Sequence, residues 1–232
     1  YITLNEQRTT YLSIGGSVCS RYEAFVNRFW IPDNDLAYYS QRTALYTDLH
    51  LGKTFRIFGE LQSALVSNGP TPIQSDDLDL HQGFIEFRPK ASKLFLRLGR
   101  QEVQYGTGRL YDISIGPNVR RSFDMVKATW ADSSFKIDFF YGKAIQVNFG
   151  IFDNKSNFFN SNSPNQKIWG AYSQFKMLPS EDTNFNTEFY YLGLDGGQPT
   201  YNDVTGYERR HTIGLRKFGK PWQGLSHNHE FI

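Results

Sequence analysis

The chain has 232 residues with 25 Lys and Arg against 23 Asp and Glu, a formal net charge of +2, so bulk charge makes no case for nucleic acid. Aromatics make up 16% of it, with 14 Tyr and 20 Phe against 2 Met, which is a strand-rich composition. At a mean hydropathy of -0.51, no apolar run approaches the roughly 18 to 20 residues of a membrane-spanning helix, and the single cysteine, Cys19, excludes an internal disulfide and is read as a small buried side chain.

Period-2 alternation recurs from end to end. It predicts strands at residues 11–25, 38–51, 55–65, 80–88, 94–105, 125–130, 135–141, 168–175, 185–194 and 209–217, and an eleventh that begins near Leu225 and stops in mid-pattern at Ile232. Short connections, "GKT" at Gly52, "PKASK" at Pro89, "ADSS" at Ala131, "LPSEDTN" at Leu178 and "GKPWQG" at Gly219, carry turn chemistry. They alternate with longer ones at residues 27–36, 66–79, 106–124, 142–167 and 195–208. That rhythm fits an up-and-down antiparallel sheet with turns at one end and loops at the other, the asymmetry of bacterial outer-membrane barrels, whereas a sandwich needs crossovers that break it.

The two phases of each strand differ in chemistry. Leu94, Leu96 and Leu98 oppose Phe95 and Arg97; Ile57 and Leu61 oppose Arg56 and Glu60; Val126, Ala128 and Trp130 oppose Lys127 and Thr129. Aromatics gather near strand ends (Tyr22, Trp30, Tyr39, Trp130, Phe135, Tyr141, Tyr191), as interfacial belts require. The leucine side is therefore assigned to lipid and the arginine side to a water-filled lumen, because only a closed barrel satisfies strand backbone in lipid. Strict alternation past Gly99 would turn Arg100 and Glu102 outward, so a bulge at Gly99 is expected to return both to the lumen. Residues 168–175 resist phasing.

The run "LDLHQGFIEFRPKASKLFLRLGRQEVQYGTGRL" (78–110), "RRSFDMVKATW" (120–130) and "RRHTIGLRKFG" (209–219) resemble the alginate-export outer-membrane porin family, over essentially the whole chain from about Tyr11. The most specific parts are GRQE-x-x-YG-x-GRL from Gly99 and RSFD from Arg121. The resemblance implies an all-β, up-and-down antiparallel transmembrane β-barrel of about eighteen strands, monomeric, whose arginine-rich lumen passes a polyuronate. About ten to eleven strands are expected here, as a single domain (1–232) truncated at its C-terminal end.

A polyuronate presents a carboxylate per sugar, and arginine forks hold carboxylates directionally while rings of Arg or Lys select anions. On the inferred lumen face the candidates are Arg21, Arg42, Arg56, Arg97, Lys127, Lys136, Arg210 and Arg216, with Glu23, Asp48, Glu60, Glu86, Asp138 and Glu188 as acidic neighbours that weaken binding enough for release. By resemblance Arg100, Glu102, Arg121 and Asp124 join them. The plainer reading of these charges is a set of cross-strand ion pairs, roughly 0.2 to 1 kcal/mol each, that stiffen the wall, and for Arg100, Glu102, Arg121 and Asp124 it is an order-giving role, pinning the long loop between their strands.

Catalytic residues, cofactors and metals are not expected. His50, His81, His211, His227 and His229 are scattered, the "HNHE" at His227 is read as polar lumen residues near a turn, and calcium at Asp153 has no supporting second feature. The Asn-rich stretch 154–166 is read as a flexible extracellular loop. Expected partners are membrane lipid, an anionic polysaccharide and periplasmic secretion proteins, in the bacterial outer membrane. The alternative is a non-transporting saccharide-binding β domain or a loop-mediated surface adhesin.

Overall fold

Strand follows strand along the chain because each segment alternates apolar and polar residues between turn-forming stretches. The computed structural model describes residues 1–69, 74–90, 92–160, 165–177, 184–222 and 224–232. In chain order the strands are β1 (Ile2–Thr3), β2 (Tyr11–Phe25), β3 (Leu36–Leu51), β4 (Phe55–Ser67), β5 (Asp76–Phe87), β6 (Leu94–Gln101), β7 (Phe123–Ala131), β8 (Phe135–Ala144), β9 (Lys167–Met177), β10 (Asn184–Gly197), β11 (Thr200–Tyr201), β12 (Val204–Thr205), β13 (Glu208–Trp222) and β14 (Leu225–Phe231). All except the small β11–β12 hairpin form one 12-stranded antiparallel sheet in the order β1-β2-β3-β4-β5-β6-β7-β8-β9-β10-β13-β14, which is not closed in this chain. The alternation of short turns and long loops is the one read from the sequence. The expected turn from Leu178, Ala91 of the "PKASK" turn, Gln223 of "GKPWQG" and parts of two long loops (70–73, 161–164) lie outside the described residues.

Register joins side chains into rows across the sheet. On the outer face one row runs Leu12, Leu49, Ile57, Ile85, Leu98, Val126, Tyr141, Trp169 over eight strands. Leu94, Leu96 and Leu98 are 40, 42 and 60% exposed, so no second layer of this chain covers them. A sandwich places its apolar face against another sheet, and apart from the two-stranded β11–β12 hairpin the described residues contain no second sheet. Aromatic pairs mark the turn end of the outer face: Phe55 with Phe87 at 5.0 Å, Trp130 with Phe135 at 5.4 Å and Phe135 with Phe175 at 4.5 Å.

The strands tilt, as closure of a barrel requires. The row that begins at Ile14, near the turn end of β2, ends at Arg209, the second residue of β13, at the loop end.

The sequence expectation needs correction at β6. That strand ends at Gln101, not at residue 105, and it carries no bulge: Arg100 stays opposite Gly83 on one side and Asp124 on the other, with Gly99 at φ 128, a conformation that favours glycine. A Cβ on Gly99 would come within 2.2 Å of the Gly83 carbonyl oxygen, so the close approach of the two strands requires glycine. The irregularities lie in β5 instead, between Gln82 and Leu80 and between Asp79 and Asp76 where it faces β4. Cys19 is exposed, not buried, because it falls on the phase of Ser17 and Arg21. His227 and His229 share the outward phase of Phe231, which pairs with Leu215, so they do not face inward as expected.

Candidate inner face and its strap

The early end of β6 sends residues 102–122 across the arginine face as a strap. Asn118 near its end accepts a hydrogen bond from Arg42 Nη1 (3.1 Å) and donates from Nδ2 to the carbonyls of Gln41, Leu65 and Gln74 (3.2, 3.1 and 2.9 Å). At its start Thr107 reaches Glu230 (3.4 Å), and Arg109 pairs with the same carboxylate (3.5 Å). From β3 to β14 there are nine strand-to-strand steps, a distance of roughly 43 Å on a flat sheet at about 4.8 Å per step. The residues from Thr107 to Asn118 reach at most roughly 40 Å fully extended, and they are not extended, with a left-handed turn at Gly108 (φ 78). The sheet must therefore curl around the strap, with the arginine side concave.

The strap explains why the inner face has an apolar core. Val103 and Tyr111 are buried with Phe123, Met125, Phe140, Ile168, Tyr172, Tyr190 and Leu192, all on the inner phase of β7–β10. Tyr105 stacks on Tyr172 (4.5 Å) and Phe140 (5.2 Å), and its hydroxyl donates to Asp138 (3.2 Å). Tyr111 donates to the Gly193 carbonyl (2.5 Å). Burial pushes both phenols up from their ordinary value, Tyr105 further because the Asp138 carboxylate adds to it. Apolar residues on both phases of β9 are what made it unphasable from sequence.

Charges concentrate toward the turn end of the inner face. The row Tyr11, His50, Arg56, Glu86, Arg97, Lys127 places Glu86 directly between Arg56 and Arg97, with Lys127 across from Arg97. Glu86 is fully buried; its Oε1 accepts from Arg88 Nε (2.6 Å) and its Oε2 from Arg97 Nε and Nη2 (2.9 and 2.6 Å), with Arg56 Nη1 at 4.0 Å. Arg56 also grips Asp48 with two hydrogen bonds (2.8 and 2.9 Å). Beneath lie stacked rings, Tyr46 on Phe58 (5.8 Å) and Phe58 on Phe84 (5.1 Å), and the Arg97 guanidinium sits 4.3 Å over Phe84. One buried carboxylate thus fixes three arginine forks on an aromatic floor while the cluster keeps an excess of positive charge. Further round the sheet, Glu188 accepts from Arg216 (2.8 Å), Tyr172 (2.5 Å) and Gln174 (2.9 Å).

The remaining candidates fall as follows. Arg21 pairs with Glu23 (3.4 Å) and Lys136 with Asp138 (3.4 Å), both on the inner phase; Arg210, also inward, pairs with Glu208. Glu102 sits at the root of the strap between His81 (2.7 Å) and Arg120 (2.9 Å). Arg121 lines a cavity of about 300 Å³ between the strap and the 145–160 loop, together with Arg100 and Arg120. Arg100 and Asp124 were expected in the lumen, and the register puts them on the outer face instead. They belong to the row Arg100, Asp124, Lys143, Lys167, Asp195, Arg209, which crosses the loop end of six strands. The tilt of the strands brings this part of the row to the loop end, where loop residues cover Arg100, Lys143 and Asp195. Arg100 binds Asp124 and Asp79 (3.1 Å each) and the Asn154 carbonyl (3.2 Å), and Asn154 reaches Asp76 (2.6 Å). The described part of the Asn-rich loop is thereby tied to the edge of β5 that short β6 leaves unpaired, where Ile151 bridges Leu78, and is not free as expected.

An all-β, turn-and-loop sheet with an apolar outside and an inward strap is the setting for the comparison with known proteins. Residues 10–231 match the family model described as alginate export. The chain belongs to the alginate-export family. It is accordingly an outer-membrane β-barrel porin at family level, a transporter fold and not an enzyme family. No curated protein matches it. The specific run from Gly99 makes physical sense in this family member: Gly99 permits strand contact, Arg100 anchors the loop, Glu102 anchors the strap, and Tyr105 and Gly106 begin it. Sequence reasoning missed Arg88, Arg109, Arg120 and Asn118, which sit in a turn or in the strap, where no periodicity marks the direction of a side chain.

Proposed function

We propose that the concave face is the lumen wall of a channel that guides an acidic polysaccharide, such as an alginate-like polyuronate, by arginine and lysine side chains. The observation that carries this reading is the Arg56–Glu86–Arg97 cluster with Arg88 and Lys127: cations outnumber carboxylates, and their forks are held in place before any substrate arrives. A guanidinium that already shares one carboxylate retains N–H donors for another, so it attracts a passing uronate without trapping it. The strap narrows the space and adds Arg109 and Arg120. Around this pathway the chain works as a monomer with its leucine face in lipid, and periplasmic secretion proteins deliver the polymer. Short turns then face the periplasm and long loops the exterior.

Reconstitution of the full-length protein in planar bilayers tests the mechanism. Anion preference that falls when Arg97→Gln and Arg56→Gln are combined supports it. Cation preference, unaltered by the same pair, rules it out.

A further inference from the structure

At the turn end, beside the arginine cluster, the inner face opens into a cavity of about 440 Å³, within the size range of small-molecule sites. Its walls come from the β1–β2 connection, the tight β3–β4 turn and the end of β5. Tyr11 and His50 face each other across β2 and β3 and stack nearly parallel, centroids 4.4 Å apart at 13°, forming a layered aromatic plate with Tyr1 packed against Tyr11 (5.4 Å) and His50 Nε2 held 3.3 Å from Asp48. Four cations surround it: Arg8, Lys53, Arg56 and Arg88. Arg56 and Arg88 are engaged with Asp48 and Glu86, whereas Arg8 and Lys53 have no ion-pair partner among the described residues. An aromatic plate presents its face to the C–H side of a sugar ring, and unengaged cations at its edge fit a carboxylate on that ring.

We propose that this cavity is a capture subsite for an acidic sugar at the short-turn mouth. The ring lies on the Tyr11–His50 plate, and its carboxylate is held by Arg8 and Lys53. The proposal rests on reading the concave face as a saccharide pathway, and adds to it a discrete docking point where a chain end is first held before the lumen arginines take over.

The test is isothermal titration of the full-length protein in detergent with trigalacturonate, with maltotriose and inorganic phosphate as controls. Wild type is expected to bind the acidic trimer at least tenfold more tightly than maltotriose. The Arg8→Gln/Lys53→Gln double variant is expected to lose about tenfold or more of that affinity, in line with a charge-assisted contact. His50→Ala, which removes half the plate and no free cation, is expected to weaken the trimer and leave phosphate binding alone. Retained heat-modifiable migration in gels confirms that each variant is folded. Trimer affinity unchanged in both variants, no trimer binding by wild type, or equal affinity for maltotriose or phosphate would each overturn the subsite. A channel without anion preference that still shows the expected titrations would remove the transport mechanism and leave the subsite standing.

Discussion

Replacing Glu86 by glutamine keeps the shape of a fully buried side chain but removes the charge that three guanidinium groups share. Breaking a buried ion pair from one side typically costs about 3–5 kcal/mol, because the partner charge is left uncompensated. Here the low end applies, about 3 kcal/mol: Arg88 is 54% exposed and is screened by water, and Arg56 keeps its second grip on Asp48. The same substitution leaves Arg56, Arg88, Arg97 and Lys127 against Asp48 alone. Glu86→Gln is therefore expected to lose stability and gain anion selectivity together. Urea unfolding in lipid vesicles measures the first, and the reversal potential under a KCl gradient the second. If the variant is as stable as wild type, or if its reversal potential moves toward cations, the cluster is not what fixes and charges the inner face.

Other consequences follow from the same geometry. Asn118→Ala removes three side-chain hydrogen bonds that pin the strap, about 2–3 kcal/mol in sum, and single-channel conductance is expected to rise as the strap lifts; an unchanged conductance places the constriction elsewhere. Leu98→Arg, in the apolar outer row, is expected to destabilise the folded protein in bilayers by about 2–4 kcal/mol, while Arg97→Leu on the opposite face alters selectivity more than insertion; equal unfolding free energies for the two would contradict the assignment of faces. Tyr105 and Tyr111 have folded-state ionisation raised by burial, so the stability they support is complete below the ordinary tyrosine range near 10 and is lost as pH climbs through their raised values. Absorbance titration should then show Tyr105→Phe removing one phenol from the late-titrating class, and loss of an early-titrating phenol would refute the docking of the strap.

The fold was readable because period-2 alternation and loop length are properties of single strands and their neighbours. The outward set Leu94, Leu96, Leu98 and the inward Arg97 follow from pleat alone, and so does the inward phase of Arg56 or Lys127. Arg100 and Asp124 were misplaced because a charge on the outer phase looks like an error until the tilt of the strands is known, and tilt is a property of the whole sheet. The long connection after β6 was legible, but its course across the inner face was not. Asn118 meets Gln41, Leu65 and Gln74, residues far away in the chain, and only the curled sheet brings them together. Residues 168–175 failed for the same reason, since Ile168 and Tyr172 are apolar to receive the strap while Trp169 and Ala171 are apolar on the outer phase.

The most direct test of the two faces is cysteine accessibility along β6. In a Cys19→Ser background, single cysteines at positions 96, 97 and 98 are exposed to a membrane-impermeant maleimide in intact proteoliposomes. Rapid labelling at position 97, with 96 and 98 protected until detergent is added, is the predicted result; rapid labelling at 96 and 98 with 97 protected would contradict it.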